Sequence, residues 1–178
     1  MKETKKLAFS SIAVALGVVL MSAGALFEPI DLAVCCLAST LMLFIYIEVG
    51  KPYTYLTWIC TSLITFLIFP SSTMWAAYLL VFGIYPIMKG LIERAPHGLW
   101  WLFKLLWGAF SLSGLFLVLT FILGVKPDDG FFGLPMPAVY AITAALGAVC
   151  FLLFDVFLTA AAGVYETKLR DKIKNILK

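Results

Sequence analysis

The chain has 178 residues, of which 63% are hydrophobic and 13% are charged, and its formal net charge is +3. A soluble domain has roughly 45–50% apolar and about 25% charged residues, so this excess of apolar side chains excludes an ordinary water-exposed fold. The composition predicts an all-α polytopic transmembrane bundle with the lipid bilayer as the partner of its outer face. The length suits one transmembrane domain over residues 1–178.

Six apolar stretches are each long enough, at about 20 residues, to cross a bilayer as a helix. They run over 7–27, 30–49, 53–69, 73–90, 99–125 and 138–165. Helix is expected because every backbone N–H and C=O in hydrocarbon must be bonded within its own segment. The very short junction at Gly50 predicts that the second and third spans are antiparallel neighbours. The first span lacks a small-residue cleavage site, so we expect no cleaved signal peptide.

The basic residues predict the orientation of these spans. With the N terminus inside, 12 of the 13 Lys and Arg residues lie in inner segments and Lys126 alone lies outside. This distribution predicts that both termini are cytoplasmic and that the number of spans is even. A re-entrant pair of helices would reduce that number from six to four.

The first span is rich in small residues. Ser11 and Ala15 are four residues apart, as are Ala13 and Gly17, so each pair shares a helix face. Small residues at this spacing let two helices approach closely in lipid. The partner helix would belong either to this bundle or to another protein.

The predicted outer segments are acidic, with a net charge of −3, and aromatic residues lie beside the acids. Ligand sites are usually apolar concavities with a few placed polar groups, so these segments form the candidate substrate site. Its residues are Glu28, Asp31, Trp75, Lys126, Asp128, Asp129, Phe131 and Phe132. Solvated loops beside an aromatic belt explain the same pattern. A pocket here would disfavour a polyanionic ligand.

Asp155 lies deep in the last span, where a carboxylate is costly unless it is paired, protonated or hydrated. Lys89 and Lys104 enter the fourth and fifth spans from the same side and are its candidate partners. Glu93, four residues after Lys89, and Glu48, at the inner end of the second span, complete a predicted charge cluster. Two interpretations are open: an ion pair that fixes helix packing, or a polar switch or part of a transport path.

Residues 166–178 are expected to continue the last helix. Leu169, Ile173, Ile176 and Leu177 fall near one face with basic residues around them, which is typical of an amphipathic helix lying on anionic lipid. A helix end that only anchors the topology and a partner-binding segment fit the pattern as well.

Catalytic and cofactor motifs are absent from the sequence. No HExxH, GxSxG or P-loop motif occurs, so we expect no enzyme activity, no cofactor and no P-loop ATP hydrolysis. His97 is the single histidine, and the four cysteines lie in apolar stretches without a CxxC pair, so we expect no metal site and no disulfide framework. The basic residues follow the inner membrane face, which argues against a nucleic-acid partner.

The opening segment, residues 5–17, resembles the start of substrate-binding S components of energy-coupling factor (ECF) transporters. Those proteins are of similar length and have six helices, a basic inner N terminus and a small-residue face on the first helix. The segment 83–89, GIYPIMK, and the late Asp155 resemble Gram-positive bacterial membrane proteins described as S-component-like. Within that segment, Pro86 is expected to kink or loosen the fourth span.

The resemblance implies a protein of the bacterial cytoplasmic membrane that binds a vitamin-like small molecule from outside and then topples in the membrane. A coupling subunit and a pair of ATPases would supply the energy. The resemblance also implies that the coupling subunit contacts Ser11, Ala13, Ala15 and Gly17, and that the substrate pocket lies under the outer loops. The metal-transporting branch uses a histidine near its N terminus, and none stands there in this chain, which argues against nickel or cobalt.

We therefore expect a small-molecule-binding membrane subunit of an ECF-type importer, with a cavity in its outer half. Two other functions fit the sequence. A scaffold or assembly protein would have a filled bundle and a flat partner surface. An intramembrane enzyme acting on lipid would place two or more polar groups convergently around Asp155.

Overall fold

The computed structural model describes residues 3–94, 96–124 and 136–169, and the regular structure in these residues is helical. The long helices are α1 (Glu3–Leu26), α2 (Asp31–Glu48), α3 (Lys51–Ile68), α4 (Met74–Ile92), α5 (Trp100–Phe121) and α6 (Met136–Val164). A π-helical turn, Tyr165–Leu169, continues α6. Short 3-10 turns at Glu28–Ile30 and His97–Leu99 precede α2 and α5. The prediction of an all-α fold is confirmed for the described residues.

The observed helix bounds lie close to the predicted spans. The largest differences are at α1, which begins at Glu3 rather than at residue 7, and at α5, which ends at Phe121 rather than at residue 125. Gly50, at φ +102°, forms the short junction between α2 and α3, a backbone conformation that glycine adopts without strain. Most of the predicted C-terminal amphipathic helix, from residue 170 onward, lies outside the described residues.

Five of these helices are long and apolar enough to cross a membrane, which indicates a multi-pass membrane protein. The exception is α3, whose 18 residues include several threonines and a serine. These hydroxyl residues form the buried face of the helix, at Thr54, Thr57, Thr61, Ser62 and Thr65. The apolar residues of α3, such as Leu63 and Leu67, are exposed instead. This arrangement suits a helix whose outer face meets hydrocarbon rather than water.

The centre of the bundle is α4. In its most apolar window 61% of the residues are buried, against 17% in α5 and 22% in α6. On one side, α1 packs on α2 and α3. On the other side, α5 packs on α4, and α6 packs on α2 and α5. The α5–α6 side is therefore the less enclosed part of the described molecule.

The middle of α4 departs from regular α-helix at Tyr78–Phe82, which is π-helical. Pro86 has no N–H to bond the Phe82 carbonyl four residues earlier, and the Ser39 hydroxyl of α2 donates to that carbonyl at 2.5 Å instead. The Gly83 N–H bonds to Tyr78, and Trp58 Nε1 of α3 donates to the Leu79 carbonyl at 3.1 Å. Side chains of two neighbouring helices thus satisfy the backbone where α4 is broken, as a π-bulge in an apolar surround requires.

The two ends of the bundle differ in chemistry. We call the end where α1 and α3 begin and α2 and α6 finish the basic end. There, the Tyr53 hydroxyl donates to Glu3, and the Phe44 and Tyr165 rings stack with centroids 4.5 Å apart. At the opposite end, α1 finishes beside the start of α4, so close that a Cβ on Gly24 would lie 2.3 Å from Met74 Cε.

Candidate functional site

A buried ion-pair cluster joins three helices in the half of the bundle nearer the basic end. Asp155 of α6 accepts a hydrogen bond from Lys89 of α4 on Oδ1, and one from Lys104 of α5 on Oδ2 at 2.7 Å. The side chains are 10%, 5% and 11% exposed, respectively. Both candidate lysines therefore pair with the one carboxylate.

Two uncharged side chains complete the bonds of this cluster. The Tyr85 hydroxyl donates to Asp155 Oδ1 at 2.7 Å, and Lys89 donates to Thr159 Oγ1 at 2.8 Å. Thr159 in turn donates to the Asp155 backbone carbonyl at 2.8 Å. The sequence analysis missed Tyr85 and Thr159, although helical spacing could have found them. Tyr85 stands four residues before Lys89 and Thr159 four after Asp155, so each shares a face with a predicted member.

Glu93 balances the charge of the cluster. Its carboxylate lies 3.0 Å from Lys89 and 3.6 Å from Lys104, so two cations meet two anions. Glu93 is 36% exposed and lies in the last turn before α4 ends, so this part of the cluster reaches the surface. Glu48 is the last residue of α2, and its place in the cluster stays a prediction.

The geometry of the cluster suits a structural role, in which its ion pairs hold neighbouring helices together. Its members come from α4, α5 and α6, and the last two are the helices that bury the least of their surface. Each oxygen of the Asp155 carboxylate already accepts a hydrogen bond, and the charges are paired within the protein. A buried charge set of this kind is specific in geometry, because removing one member leaves the others uncompensated.

A second candidate site is a concavity of about 540 Å³ at the opposite end of the bundle. The last turn of α1, the start of α2 and the junction between α3 and α4 surround it. Its lining residues are Gly24, Ala25, Asp31, Ile68, Phe69, Pro70, Ser71, Ser72, Thr73 and Met74. Asp31 is the one charged residue among them, and its Oδ1 is buried without a hydrogen-bond partner in the described part of the chain.

The predicted substrate residues are only partly placed by the structure. Asp31 lines the concavity, and Trp75 lies beside it, with Nε1 donating to the Pro70 carbonyl at 3.2 Å and its ring edge-on to Phe66. Glu28 lies in the short turn before α2, and its side chain is outside the described set. Lys126, Asp128, Asp129, Phe131 and Phe132 also lie outside the described residues. The sequence analysis missed the hydroxyls at 71–73, which look like an ordinary loop in the sequence.

The small residues of α1 divide between two faces. Ala13 and Gly17 are buried, and a Cβ on Gly17 would lie 3.0 Å from Thr61 Cγ2 of α3. Ser11 and Ala15 are exposed on the surface of the bundle, where the Ser11 hydroxyl bonds to the Leu7 carbonyl at 2.9 Å. The packing inside the bundle thus uses one small pair, and the other remains available to a second protein.

No group of three or more His, Cys, Asp or Glu residues in the described ranges is placed to hold a metal ion. All four cysteines are free thiols. His97 lies in the turn before α5, and its side chain is outside the described set.

Comparisons with known proteins give no relative for this chain. No family model, no curated protein and no solved structure matches it.

Proposed function

We propose that this protein is a six-span membrane subunit that binds a small molecule at the concavity around Asp31. The single observation that supports this function best is that concavity, because apolar and polar groups line it together and one oxygen of the Asp31 carboxylate is buried without a hydrogen-bond partner among the described residues. Its volume falls in the range of small-molecule sites, which is roughly 300–1,000 Å³.

The proposal includes an orientation. The described Lys and Arg residues lie in segments that begin or finish near the basic end, and the positive-inside rule assigns that end to the cytoplasm. Both termini are then cytoplasmic, and the concavity faces outward from a bacterial plasma membrane. In this orientation the ligand enters from outside, as it does in the S components that the sequence resembles.

The proposal also includes a partner. The sequence has no P-loop, so uphill transport would need a separate ATPase module and a coupling subunit. The exposed pair on α1, Ser11 and Ala15, offers a face on which another helix can pack closely. Ala13 and Gly17, by contrast, act in this proposal through the fold, because both are buried against neighbouring helices.

An enzyme acting on lipid is the second candidate, and one observation favours it. Tyr85, Lys89 and Lys104 converge on Asp155, as a catalytic centre requires. These groups, however, are bonded to one another rather than directed at an open space, and their charges are balanced by Glu93. This mutual satisfaction supports the structural interpretation of the cluster.

Co-purification tests the proposed function. The chain is co-expressed with the ECF coupling subunit and ATPases of the same genome, and the assembly is isolated through a tag on this chain. We expect the coupling subunit to be recovered, and we expect Ala15→Leu to reduce the recovery about tenfold because the larger side chain prevents close helix approach. Ala145→Leu, at an exposed position of α6, is the matched control. Absence of the coupling subunit from the wild-type preparation would overturn the ECF assignment.

A further inference from the structure

The chemistry of the concavity points to the class of its ligand. We propose that the ligand has an apolar body with a protonated amine, and that Asp31 is the counter-ion of the amine. This inference rests on the proposed function, since it concerns the same site. It adds a charge preference that neither the fold nor the resemblance supplies.

The charge of the lining favours a cationic ligand. Among the described residues, Asp31 is the only charged one that lines the concavity, and no described lysine or arginine lines it. An anionic ligand would therefore meet a like charge that no described cation offsets. The described basic residues lie in segments toward the other end of the bundle, where Lys89 and Lys104 are already paired.

The Asp31 carboxylate lacks part of its hydrogen bonding. Asp31 Oδ1 is buried and has no hydrogen-bond partner among the described residues. A buried polar group without a partner is costly, and a charged one is more so. An ammonium group in the concavity would offset the charge of the Asp31 carboxylate and could form a charge-assisted hydrogen bond with it, which is among the strongest kinds available. A neutral hydroxyl could donate as well but would leave the charge uncompensated.

The position of Asp31 in α2 favours its negative charge. It is the first residue of that helix, beside the positive end of the helix dipole. The dipole favours the negative charge without using up the unpartnered oxygen. The carboxylate therefore stays available to an incoming cation, instead of being neutralised by a second side chain.

The rest of the concavity is lined by apolar side chains and by hydroxyl groups. Ile68, Phe69 and Met74 provide apolar contact, and the aromatic ring can also attract a cation. The hydroxyls of Ser71, Ser72 and Thr73 lie on the same wall, where Ser72 accepts a hydrogen bond from the Met74 N–H at 3.2 Å. An inorganic cation would use the carboxylate but not the apolar groups of this wall. A small organic amine uses both.

Thiol chemistry measures the charge preference directly. Ser71→Cys is made in a background in which the four native cysteines are replaced by alanine, and the protein is purified in a neutral maltoside detergent. The introduced thiol is reacted with a cationic methanethiosulfonate, the trimethylammonium-ethyl reagent, and with the anionic sulfonatoethyl reagent. Each rate is divided by the rate of the same reagent with free 2-mercaptoethanol.

We expect the normalised rates to favour the cationic reagent by about tenfold, which is the combined effect on the two reagents of one unit charge about 6 Å away at a dielectric constant close to that of water. Asp31→Asn should bring the ratio to within about twofold of one. Glu166→Gln removes one negative charge from an exposed position near the basic end and should leave the ratio unchanged. Asp31→Asn is nearly isosteric, and size-exclusion chromatography checks that it remains monodisperse.

Protection by small probes tests the ligand class. We expect 2-phenylethylamine to slow modification of the introduced thiol at concentrations at which 2-phenylethanol and 3-phenylpropionate do not. Sodium chloride at matched ionic strength controls for simple screening. The protection should disappear with Asp31→Asn.

The outcomes separate this inference from the proposed function. Fast reaction with both reagents at a ratio near one, or protection by all three probes alike, would overturn the amine preference and leave a ligand site in place. A cationic preference without protection by the amine would overturn the organic ligand. A thiol that reacts with neither reagent would mean a closed surface, and both proposals would fail.

Discussion

At the scale of single residues, Asp155 determines how the α5–α6 side is attached. Its two carboxylate oxygens are bonded to lysines of two different helices, and the same Oδ1 accepts from Tyr85. A charge at this depth is tolerated because its partners are equally buried. The net value of such a cluster over apolar packing is small, but the loss of one member is costly.

Asp155→Asn should therefore lower the thermal stability of the purified protein markedly, by about 3 kcal/mol, because Lys89 and Lys104 would be left without their main anion. The measurement is a thermal unfolding scan in detergent. Glu166→Gln is the matched control, since that carboxylate is exposed, and we expect a change within about 0.5 kcal/mol.

A second substitution tests whether the ion pairs cause that loss. Adding Lys104→Met to Asp155→Asn removes one of the stranded cations, so the double variant should be more stable than the sum of the two single losses predicts. Strictly additive losses would show that Asp155 acts through something other than its lysine partners.

At the scale of elements, α4 is stable as a broken helix because its neighbours supply the missing bonds. The Ser39 hydroxyl donates to the Phe82 carbonyl that Pro86 cannot bond, and Trp58 Nε1 donates to the Leu79 carbonyl. Tyr85 and Lys89, which follow the break, donate hydrogen bonds to the buried carboxylate of α6. The irregular segment and the ion-pair cluster are thus adjacent features of one helix.

Ser39→Ala should destabilise the protein by about 1–3 kcal/mol, because it leaves the buried Phe82 carbonyl without a donor. Pro86→Ala restores an N–H four residues after Phe82, so it should rescue much of this loss in the double variant. Chemical or thermal unfolding of the four proteins of this cycle gives the coupling energy. A coupling near zero would refute the role assigned to the serine.

The two faces of α1 should respond differently to bulk. Gly17→Leu should destabilise the bundle by about 1–3 kcal/mol or more, because even a Cβ would press on Thr61. Ala15→Leu lies on the exposed face and should unfold at nearly the wild-type temperature. Thermal scans of the two variants make the comparison, and equal stabilities would contradict the described packing of α1.

At the scale of the whole molecule, hydropathy predicted the helices well because hydrocarbon allows few alternatives to a helix. Lys89 and Lys104 could be paired with Asp155 from the sequence because charges in apolar spans need partners. The lining of the concavity could not be predicted from the sequence in the same way. Ser71, Ser72 and Thr73 become a wall only when α1 and α2 close around them, and no periodicity encodes that contact.

The proposed six-span topology can be measured directly. Reporter fusions placed after residue 178 and at Gly50 should be fluorescent as green fluorescent protein and inactive as alkaline phosphatase, because both positions are assigned to the cytoplasm. A fusion at Ser71 should show the reverse. Matching signals at Gly50 and Ser71 would mean that α3 does not cross the membrane.

The hydroxyl-rich face of α3 has a consequence for how the protein is made. The threonines and the serine that are buried in the finished bundle face lipid when α3 first leaves the ribosome, so we expect its partitioning into the bilayer to be weak on its own. The junction at Val49 and Gly50 is so short that α3 stays beside α2 as the chain emerges. We therefore expect the two helices to enter the translocon's lateral gate as one hairpin. The more apolar α2 then promotes the insertion of the less apolar α3.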